Sequence, residues 1–226
     1  MTGHLFSGGI SSDTIAHRIK ATLPDAQILI LIREQRAMLL SAYAHFLVKS
    51  AGKAPLARFL TPKLQMQIPW PTIEYYCYSR LVEWYQNAFG KDRVLVLPME
   101  LVTRDEQAML NRTCAFCDVA PLTHNGTTAR RNARNYRQYA ALRLFPPINS
   151  FGPRTPANGF GSIDFRLLHM LLLGTTSRLV PRPLENWIVE RDRAKIETHL
   201  TDAVSVDNRA LQKLIPDDLA SFGYLT

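Results

Sequence analysis

Apolar residues along this chain follow two patterns, short continuous runs and spacings of three or four. The runs within Gln27 to Ile32 and Arg93 to Pro98 are bounded by turn residues and predict two buried strands. Apolar residues at helical spacing predict helices over residues 13–23, Gln35 to Lys49, Thr72 to Phe89 and Thr103 to Phe116. Because helices separate the two strands, the pattern favours an α/β fold with a parallel sheet flanked by helices.

The last hundred residues of the chain follow a different pattern. Asn125 to Tyr139 has little apolar periodicity, and Asn149 to Ser162 is a loop rich in Pro and Gly. Apolar spacing then predicts three helices, over Phe165 to Leu173, Trp187 to Leu200 and Asp207 to Leu214. We therefore expect a mostly helical C-terminal third and a single domain over residues 1–226.

The charge of the chain indicates the kind of partner. The 226 residues include 27 Lys and Arg against 19 Asp and Glu, which gives a formal net charge of +8. This charge favours anionic partners such as nucleotides, sulfated or phosphorylated substrates, nucleic acid and membrane surfaces. Charge alone does not choose among them.

The three cysteines, Cys77, Cys114 and Cys117, are too few for a disulfide framework and fit a reducing cytoplasm. Cys114 and Cys117 have the spacing of a redox or zinc half-motif, but a second pair is missing. We therefore favour burial in the core for this pair and predict no metal site.

The apolar stretches are too short for a membrane span. The nearest candidate, Leu167 to Leu173, is interrupted by His169, and the N-terminus lacks a basic region followed by an apolar signal core. The sequence therefore predicts a cytoplasmic protein without a membrane span.

The strongest candidate site follows the first predicted strand. Arg33 comes directly after Ile28 to Ile32, and Ser41 lies eight residues further on in an apolar helical segment. Ligands of parallel sheets bind at the carboxyl ends of strands, where Arg33 is expected to lie. A guanidinium binds phosphate through paired hydrogen bonds, and the Ser41 hydroxyl can donate another. Arg33 and Ser41 are therefore predicted to converge on one anion.

Arg33 and Ser41 resemble the 3′-phosphate motif of the sulfotransferase family, particularly of bacterial members that use 3′-phosphoadenosine 5′-phosphosulfate. Phe89 to Leu97, followed by Met99-Glu100, is similar to a helix end and strand of that family, and Asp207 to Leu211 with Gly223-Tyr224 is similar to its C-terminal tail. The resemblance implies a P-loop-NTPase-like sulfotransferase fold. It also implies transfer of a sulfuryl group from the nucleotide donor to a hydroxyl or amine acceptor, for example on a carbohydrate.

The chain departs from the family at its start. The family opens with a strand and a loop containing Lys and Gly-Thr-Thr, which holds the 5′-phosphosulfate, and no such loop begins this sequence. Gly174 to Ser177 has similar letters but follows a helical segment, and we interpret it as a helix C-terminus. We therefore expect an N-terminally truncated member, which puts catalysis by this chain alone in doubt. A missing central strand would also expose a sheet edge and favour self-association.

The resemblance suggests roles for further residues. His4 lies roughly where the family commonly has the base that deprotonates the acceptor, although a solvent-exposed terminal histidine is the simpler interpretation. Arg130, Arg131 and Arg134 would close over the 3′-phosphate or hold an acidic acceptor, and a solvated basic loop is the alternative. Glu100 matches an acid that is better viewed as structural in the family.

Two other functions compete with sulfuryl transfer. A nucleoside triphosphate kinase would need a full Gly-x-x-x-x-Gly-Lys loop and a magnesium-binding acid, and neither is found in the sequence. A non-catalytic basic protein that binds nucleotides or polyanions would fit the charge. No nucleic-acid-binding motif is recognised, so we predict a nucleotide donor and an unidentified acceptor as partners.

Overall fold

The computed structural model describes residues 12–48, 53–61, 76–123, 136–151, 165–200 and 202–226. The chain divides into two compact units. Unit 1 comprises residues 1–35, 62–127 and 200–226, and unit 2 comprises residues 36–61 and 128–199. The prediction of a single domain stays a prediction.

Unit 1 contains a small parallel sheet and most of its covering helices. Its elements are α1 (Ser12–Thr22), β1 (Ile28–Ile32), α4 (Ser79–Phe89), β2 (Val94–Pro98), α5 (Glu100–Arg104), α6 (Glu106–Phe116) and α10 (Asp202–Gln212), with short 3-10 turns at Lys91–Arg93 and Ala220–Phe222. The helix α2 (Gln35–Val48) begins at the last residue of the first segment of unit 1.

The two strands pair in parallel, with Ile28 opposite Val94 and Ile32 opposite Pro98. This pairing confirms the predicted parallel arrangement of the two strands. Among the described residues the sheet has two strands, and helices make up most of the remaining regular structure. The fold is therefore a mixed α/β arrangement that is mostly helical.

One face of the sheet forms the core of unit 1. Side chains of both strands pack there with residues of α1, α4 and the C-terminal segment: Ala16, Ile30, Ile32, Leu81, Val82, Tyr85, Phe89, Val94, Val96, Leu211, Ile215, Leu219 and Tyr224. Burial of these apolar surfaces is the main source of stability for the unit.

The prediction that β1 is buried on both faces is wrong. Leu29 is 41% exposed and Leu31 is 45% exposed, whereas Ile30 and Ile32 are buried. Successive strand residues point to opposite faces, so Leu29 and Leu31 share the second face of the sheet, which other elements cover only in part. Leu97, which is opposite Leu31 on β2, is fully buried there.

Two predicted helix boundaries are also wrong. The segment Thr103 to Phe116 forms parts of two helices, because Asp105 caps α6 by accepting a hydrogen bond of 2.8 Å from the Ala108 N–H. The helix predicted from Thr72 begins at Ser79 among the described residues, and its end at Gly90 is confirmed. Gly90 has φ +92°, a positive value that favours glycine.

Unit 2 is helical in its described part. It contains most of α2, then α3 (Leu56–Leu60), α7 (Tyr136–Leu144), α8 (Arg166–Leu179) and α9 (Arg182–His199), with a 3-10 segment at Pro146–Phe151. The predicted helical C-terminal third is thus confirmed, although α8, α9 and α10 each begin or end several residues away from the predicted bounds. The sequence did not predict α7, which overlaps the end of the basic run.

Aromatic rings and a buried ion pair organise unit 2. The ring of Tyr43 lies 4.9 Å from that of Phe59 and 6.0 Å from that of Tyr139, centre to centre. Asp192, which is fully buried, accepts hydrogen bonds of 2.5 Å from the Tyr139 hydroxyl and of 2.7 and 3.1 Å from the Arg143 guanidinium. Burial opposes the charge of Asp192, but these two donors hold its pKa below the ordinary value. The ion pair therefore depends on both partners staying in place.

All three cysteines are free thiols. Cys114 is buried, as predicted, but Cys117 is exposed, because it follows the last turn of α6 instead of facing the core. Within the described ranges, no helix is both long and apolar enough to cross a membrane.

Candidate functional site

The carboxyl ends of β1 and β2 lie at the same edge of the sheet. The Met99 N–H, just beyond β2, donates a hydrogen bond of 2.8 Å to the carbonyl of Ile32, the last residue of β1. Arg33 follows at once, and its side chain is half-buried. The structure therefore places Arg33 where the sequence predicts it, at the carboxyl end of a parallel strand.

The turn that carries Arg33 is held from two sides. The Tyr78 hydroxyl donates a hydrogen bond of 2.9 Å to the Arg33 carbonyl, and the Glu34 N–H donates one of 3.0 Å to Glu100 Oε1. Tyr78 immediately precedes α4, whereas Glu100 begins α5. These bonds fix the backbone of the turn, so the position of the Arg33 Cα is set independently of any ligand.

A buried pair of amides anchors the next residue. Gln35 Nε2 donates to Asn208 Oδ1 at 2.8 Å and to the Tyr76 carbonyl at 3.3 Å. Asn208 Nδ2 donates in return to Gln35 Oε1 at 3.3 Å and to the Leu225 carbonyl at 2.7 Å. Gln35 and Asn208 are fully buried, and these bonds satisfy polar groups that would otherwise be costly to bury. The start of α2 is thereby tied to α10.

Asp207, next to Asn208, caps α4 from a distant part of the chain. Its Oδ2 accepts hydrogen bonds from the backbone N–H groups of Tyr78, at 2.7 Å, and Ser79, at 3.1 Å. The Ser79 hydroxyl also donates to Asp207 Oδ1. The first N–H groups of a helix have no partner within the helix, and a carboxylate there also interacts favourably with the helix dipole. Asp207 therefore sets the start of α4 and the position of Tyr78.

Glu100 has contacts that suit a structural role. Besides the Glu34 N–H, it accepts a hydrogen bond of 3.2 Å from the Tyr224 hydroxyl to its Oε2. Burial, and then the charge of Glu100, raise the pKa of Tyr224 above its usual range. Tyr224 thus stays protonated and donates, and Glu100 links β2 to both the Arg33 turn and the C-terminal segment.

Ser41 lies within α2 and belongs to unit 2, whereas Arg33 belongs to unit 1. The Ser41 side chain is buried, with 3% of its surface exposed. The other candidate residues, His4, Arg130, Arg131 and Arg134, lie outside the described residues. The roles predicted for these five residues stay predictions.

Gly174 to Ser177 lies inside α8, which continues to Leu179, so the predicted helix is confirmed but its end comes later than predicted. The Thr175 and Thr176 hydroxyls donate to the carbonyls of Leu171, at 2.8 Å, and Leu172, at 2.5 Å. Such bonds to the preceding turn are how hydroxyl side chains are accommodated inside a helix. Although its residues are similar to the Gly-Thr-Thr of the family's phosphosulfate loop, this segment is helical and does not form a phosphate-binding loop.

Side chains of both charges lie at the sheet edge. Arg33 supplies a cation, the buried Glu34 follows it directly, and Glu100 bonds to the Glu34 N–H, whereas the first turn of α2 contains no acidic residue. The amino end of a helix carries a partial positive charge, which favours an anion. In the part of the chain that the structure describes, no group of three or more His, Cys, Asp or Glu side chains is arranged to hold a metal ion.

A comparison with protein families shows which part of the chain is similar to known proteins. Residues 14–123 match the model of the sulfotransferase family. The predicted resemblance is thereby confirmed for this segment, which contains α1, both strands, Arg33, Tyr78 and Glu100. Comparison with curated proteins found no match, and comparison with solved structures found none either.

The segment that matches the sulfotransferase-family model does not include every residue that shapes the edge. Asp207, Asn208 and Tyr224 lie beyond residue 123, although they hold the turn and the helix on either side of Arg33. The sequence analysis predicts a resemblance of Asp207 to Leu211 and Gly223-Tyr224 to the C-terminal tail of the family, and this stays a prediction because the family match ends at residue 123. Their partners could not be identified from spacing, since more than a hundred residues separate each pair.

Proposed function

We propose that this protein takes part in sulfuryl transfer from 3′-phosphoadenosine 5′-phosphosulfate, and that Arg33 binds the 3′-phosphate of the donor. The family match supports the reaction class. The donor, the acceptor and the role of Arg33 are the proposed part. The acceptor is a hydroxyl or an amine, for example on a carbohydrate.

The position of Arg33 is the observation that carries the proposal. Its backbone is fixed by the bond from Tyr78 and by the bond from the Glu34 N–H to Glu100, and it follows the last residue of a parallel strand. The planar guanidinium can bind a phosphate through two hydrogen bonds, and because its donors are held in a fixed fork, less side-chain entropy is lost for each bond formed. The donor carries a 3′-phosphate that common adenine nucleotides lack, so an arginine that binds this group would give selectivity.

The reaction itself needs few groups from the protein. The acceptor oxygen or nitrogen forms a bond to sulfur, and the bond between sulfur and the bridging oxygen of the 5′-phosphate breaks. Adenosine 3′,5′-bisphosphate leaves with the negative charge that grows on that oxygen, and the acceptor proton passes to a base. His4 is our proposal for this base. Cations that face the leaving oxygen lower the barrier.

Ser41 and the arginines at positions 130, 131 and 134 complete the proposed set of donor contacts. Ser41 is included because of the sequence motif. With 3% of its surface exposed, only a small part of this residue can contact a ligand. The three arginines come from the basic run of the sequence. Each of these residues can be tested separately from Arg33 by substitution with Ala.

The first experiment is calorimetric titration of the whole chain with adenosine 3′,5′-bisphosphate and, in parallel, with adenosine 5′-monophosphate. We expect the bisphosphate to bind more tightly. Substitution Arg33→Ala should weaken its binding by about 1.5–3 kcal/mol, the range for hydrogen bonds to charged groups, and should leave binding of the monophosphate unchanged. Arg33→Lys should recover only part of the loss, because an ammonium lacks the planar fork.

Arg18→Ala is the matched control, since it removes an exposed arginine from α1 of the same unit. Equal affinity of the wild-type chain for the two nucleotides would contradict a site for the 3′-phosphate. An equal loss in Arg18→Ala and Arg33→Ala would show that net charge, and not position, controls binding.

A non-catalytic protein that binds polyanions is the second candidate, and the net charge of +8 favours it. Such binding would fall steeply with salt and would not depend on the 3′-phosphate. Repeating the titration at several salt concentrations separates the two functions, because a built phosphate site keeps its preference for the bisphosphate at every concentration.

A further inference from the structure

The helix α8 has one face fixed against its own unit. His169 is buried on that face and shares a hydrogen bond of 3.1 Å between its Nε2 and Asn149 Oδ1, while Asn149 Nδ2 donates to the Leu47 carbonyl at 3.1 Å. Leu173 and Ser177, four and eight residues after His169, are also buried. This spacing defines the inner face of the helix and therefore sets which residues point outward.

The outer face of α8 begins with four large apolar side chains. Leu167 is 79% exposed, Leu168 40%, Met170 68% and Leu171 66%. They occupy two consecutive turns at the spacing of a single helix face. Single exposed leucines are ordinary, but a contiguous cluster of this kind marks a surface that binds something apolar.

The same face ends in a cation and another leucine. Arg178 is exposed eleven residues after Leu167, and Leu179, which is 80% exposed, comes eleven residues after Leu168. Eleven residues complete just over three turns, so each of these pairs lies in one row along the helix, about 16 Å apart. Arg182, exposed at the start of α9, adds a second cation, and α8 contains no acidic residue.

We propose that the outer face of α8 docks this protein on an anionic lipid surface. Acyl chains would cover the apolar side chains, and lipid phosphates and carboxylates would face the two arginines. Charge complementarity selects this occupant over a second copy of the chain. Two copies would bring together faces that carry only positive charge, on proteins with a net charge of +8 each.

The geometry describes a helix that lies on the membrane. With 14 residues, α8 is about 21 Å long, well short of the hydrocarbon thickness of a bilayer. A helix that lies flat places its apolar and cationic side chains at the same depth, at the boundary between acyl chains and headgroups. The inference does not rest on the proposed sulfuryl transfer.

The test is co-sedimentation of the whole chain with vesicles made of equal parts phosphatidylcholine and phosphatidylserine, compared with vesicles of phosphatidylcholine alone. We expect binding to the mixed vesicles. The double variant Leu167→Gln/Leu171→Gln should bind at least about tenfold more weakly, because it removes two apolar side chains from the interface. The double variant Arg178→Gln/Arg182→Gln should lose about fivefold per arginine, and only on the anionic vesicles.

Each variant has a matched control from unit 1. Leu23→Gln/Leu122→Gln removes two leucines that are 61% and 60% exposed, and Arg18→Gln/Lys213→Gln removes two exposed cations. Controls that bind vesicles like the wild type, while both α8 variants bind weakly, would support the proposal. Equal losses in variants and controls, or no binding by the wild type, would overturn it.

Light scattering without vesicles tests whether a second copy of the chain covers the outer face of α8 instead of lipid. If the wild type is a dimer and Leu167→Gln/Leu171→Gln is a monomer with unchanged vesicle binding, the face binds a second copy and the lipid proposal is wrong. Because the four apolar side chains are exposed, these substitutions should leave the fold intact. Unchanged thermal melting by circular dichroism checks this.

Discussion

Removal of the Asp207 carboxylate should destabilise the protein through the start of α4. Asp207→Ala deletes the acceptor for the backbone N–H groups of Tyr78 and Ser79, and for the Ser79 hydroxyl. Loss of a helix cap costs about 0.5–2 kcal/mol, and a hydrogen bond to a charged group contributes about 1.5–3 kcal/mol. Asp207 is half-buried, so water can replace part of what is lost. We expect the free energy of unfolding to fall by about 2–4 kcal/mol.

Urea unfolding followed by circular dichroism measures this loss. Asp207→Asn keeps one acceptor oxygen but loses the charge, and should lose about half as much stability as Asp207→Ala. Glu83→Ala is the control, because it removes an exposed acid from the same helix and should change stability by no more than about 0.5 kcal/mol. Hydrogen exchange gives a local readout, in which the first turn of α4 should exchange faster in Asp207→Ala.

The reasoning would be refuted if Asp207→Ala and Glu83→Ala lost equal stability. It would also be refuted if exchange in the first turn of α4 matched that of the wild type. Either result would show that the contacts of Asp207 contribute little beyond the general effect of its charge.

Three further predictions concern single polar contacts. Tyr78→Phe removes only the hydroxyl that binds the Arg33 carbonyl, so urea unfolding should show a loss of about 0.5–1.5 kcal/mol. Asp192→Asn leaves the Arg143 guanidinium without its buried partner, and the same assay should show a loss of about 3–5 kcal/mol. Burial lowers the pKa of His169 from its ordinary value of 6.5. The neutral imidazole therefore contributes its full stabilisation above pH 6.5, and this contribution is lost as the pH falls through the lower pKa of the folded state. The melting temperature of the wild type should show this decline at low pH, and that of His169→Gln should not.

Local patterns in the sequence were sufficient to predict both strands and their parallel pairing. Each strand is a short apolar run that contains β-branched residues and lies between turn residues, and this length and composition favour a strand over a buried helix segment. The exposure of Leu29 and Leu31 was not predictable in this way, because an apolar run does not show which of its faces another element covers. The break before α6 did carry a local signal, since Asp105 is a favoured capping residue three positions before Ala108.

The helix α7 was missed for a different reason. Tyr139, Ala140, Ala141 and Leu142 are buried in succession, so the helix has no exposed stripe whose period could be recognised. Among the candidate site residues, only Arg33 could be placed from local pattern and then found at the sheet edge. The contacts that hold its turn come from Tyr78, Glu100 and residues near 207, and pairing between such distant residues follows from the whole fold.

The polar contacts of residues 207–225 have a consequence for how unit 1 forms during synthesis. The ribosome completes β1, α4 and β2 long before Asp207 and Asn208 emerge, and residues 128–199 of unit 2 are made in between. Until then, the N–H groups of Tyr78 and Ser79 lack their carboxylate, and Gln35 lacks its amide partner. A fragment limited to residues 14–123 would keep both strands and Arg33, yet it would resemble this nascent state. The contacts of Asp207 and Asn208 with the residues on either side of the Arg33 turn can therefore form only after most of the chain has been made.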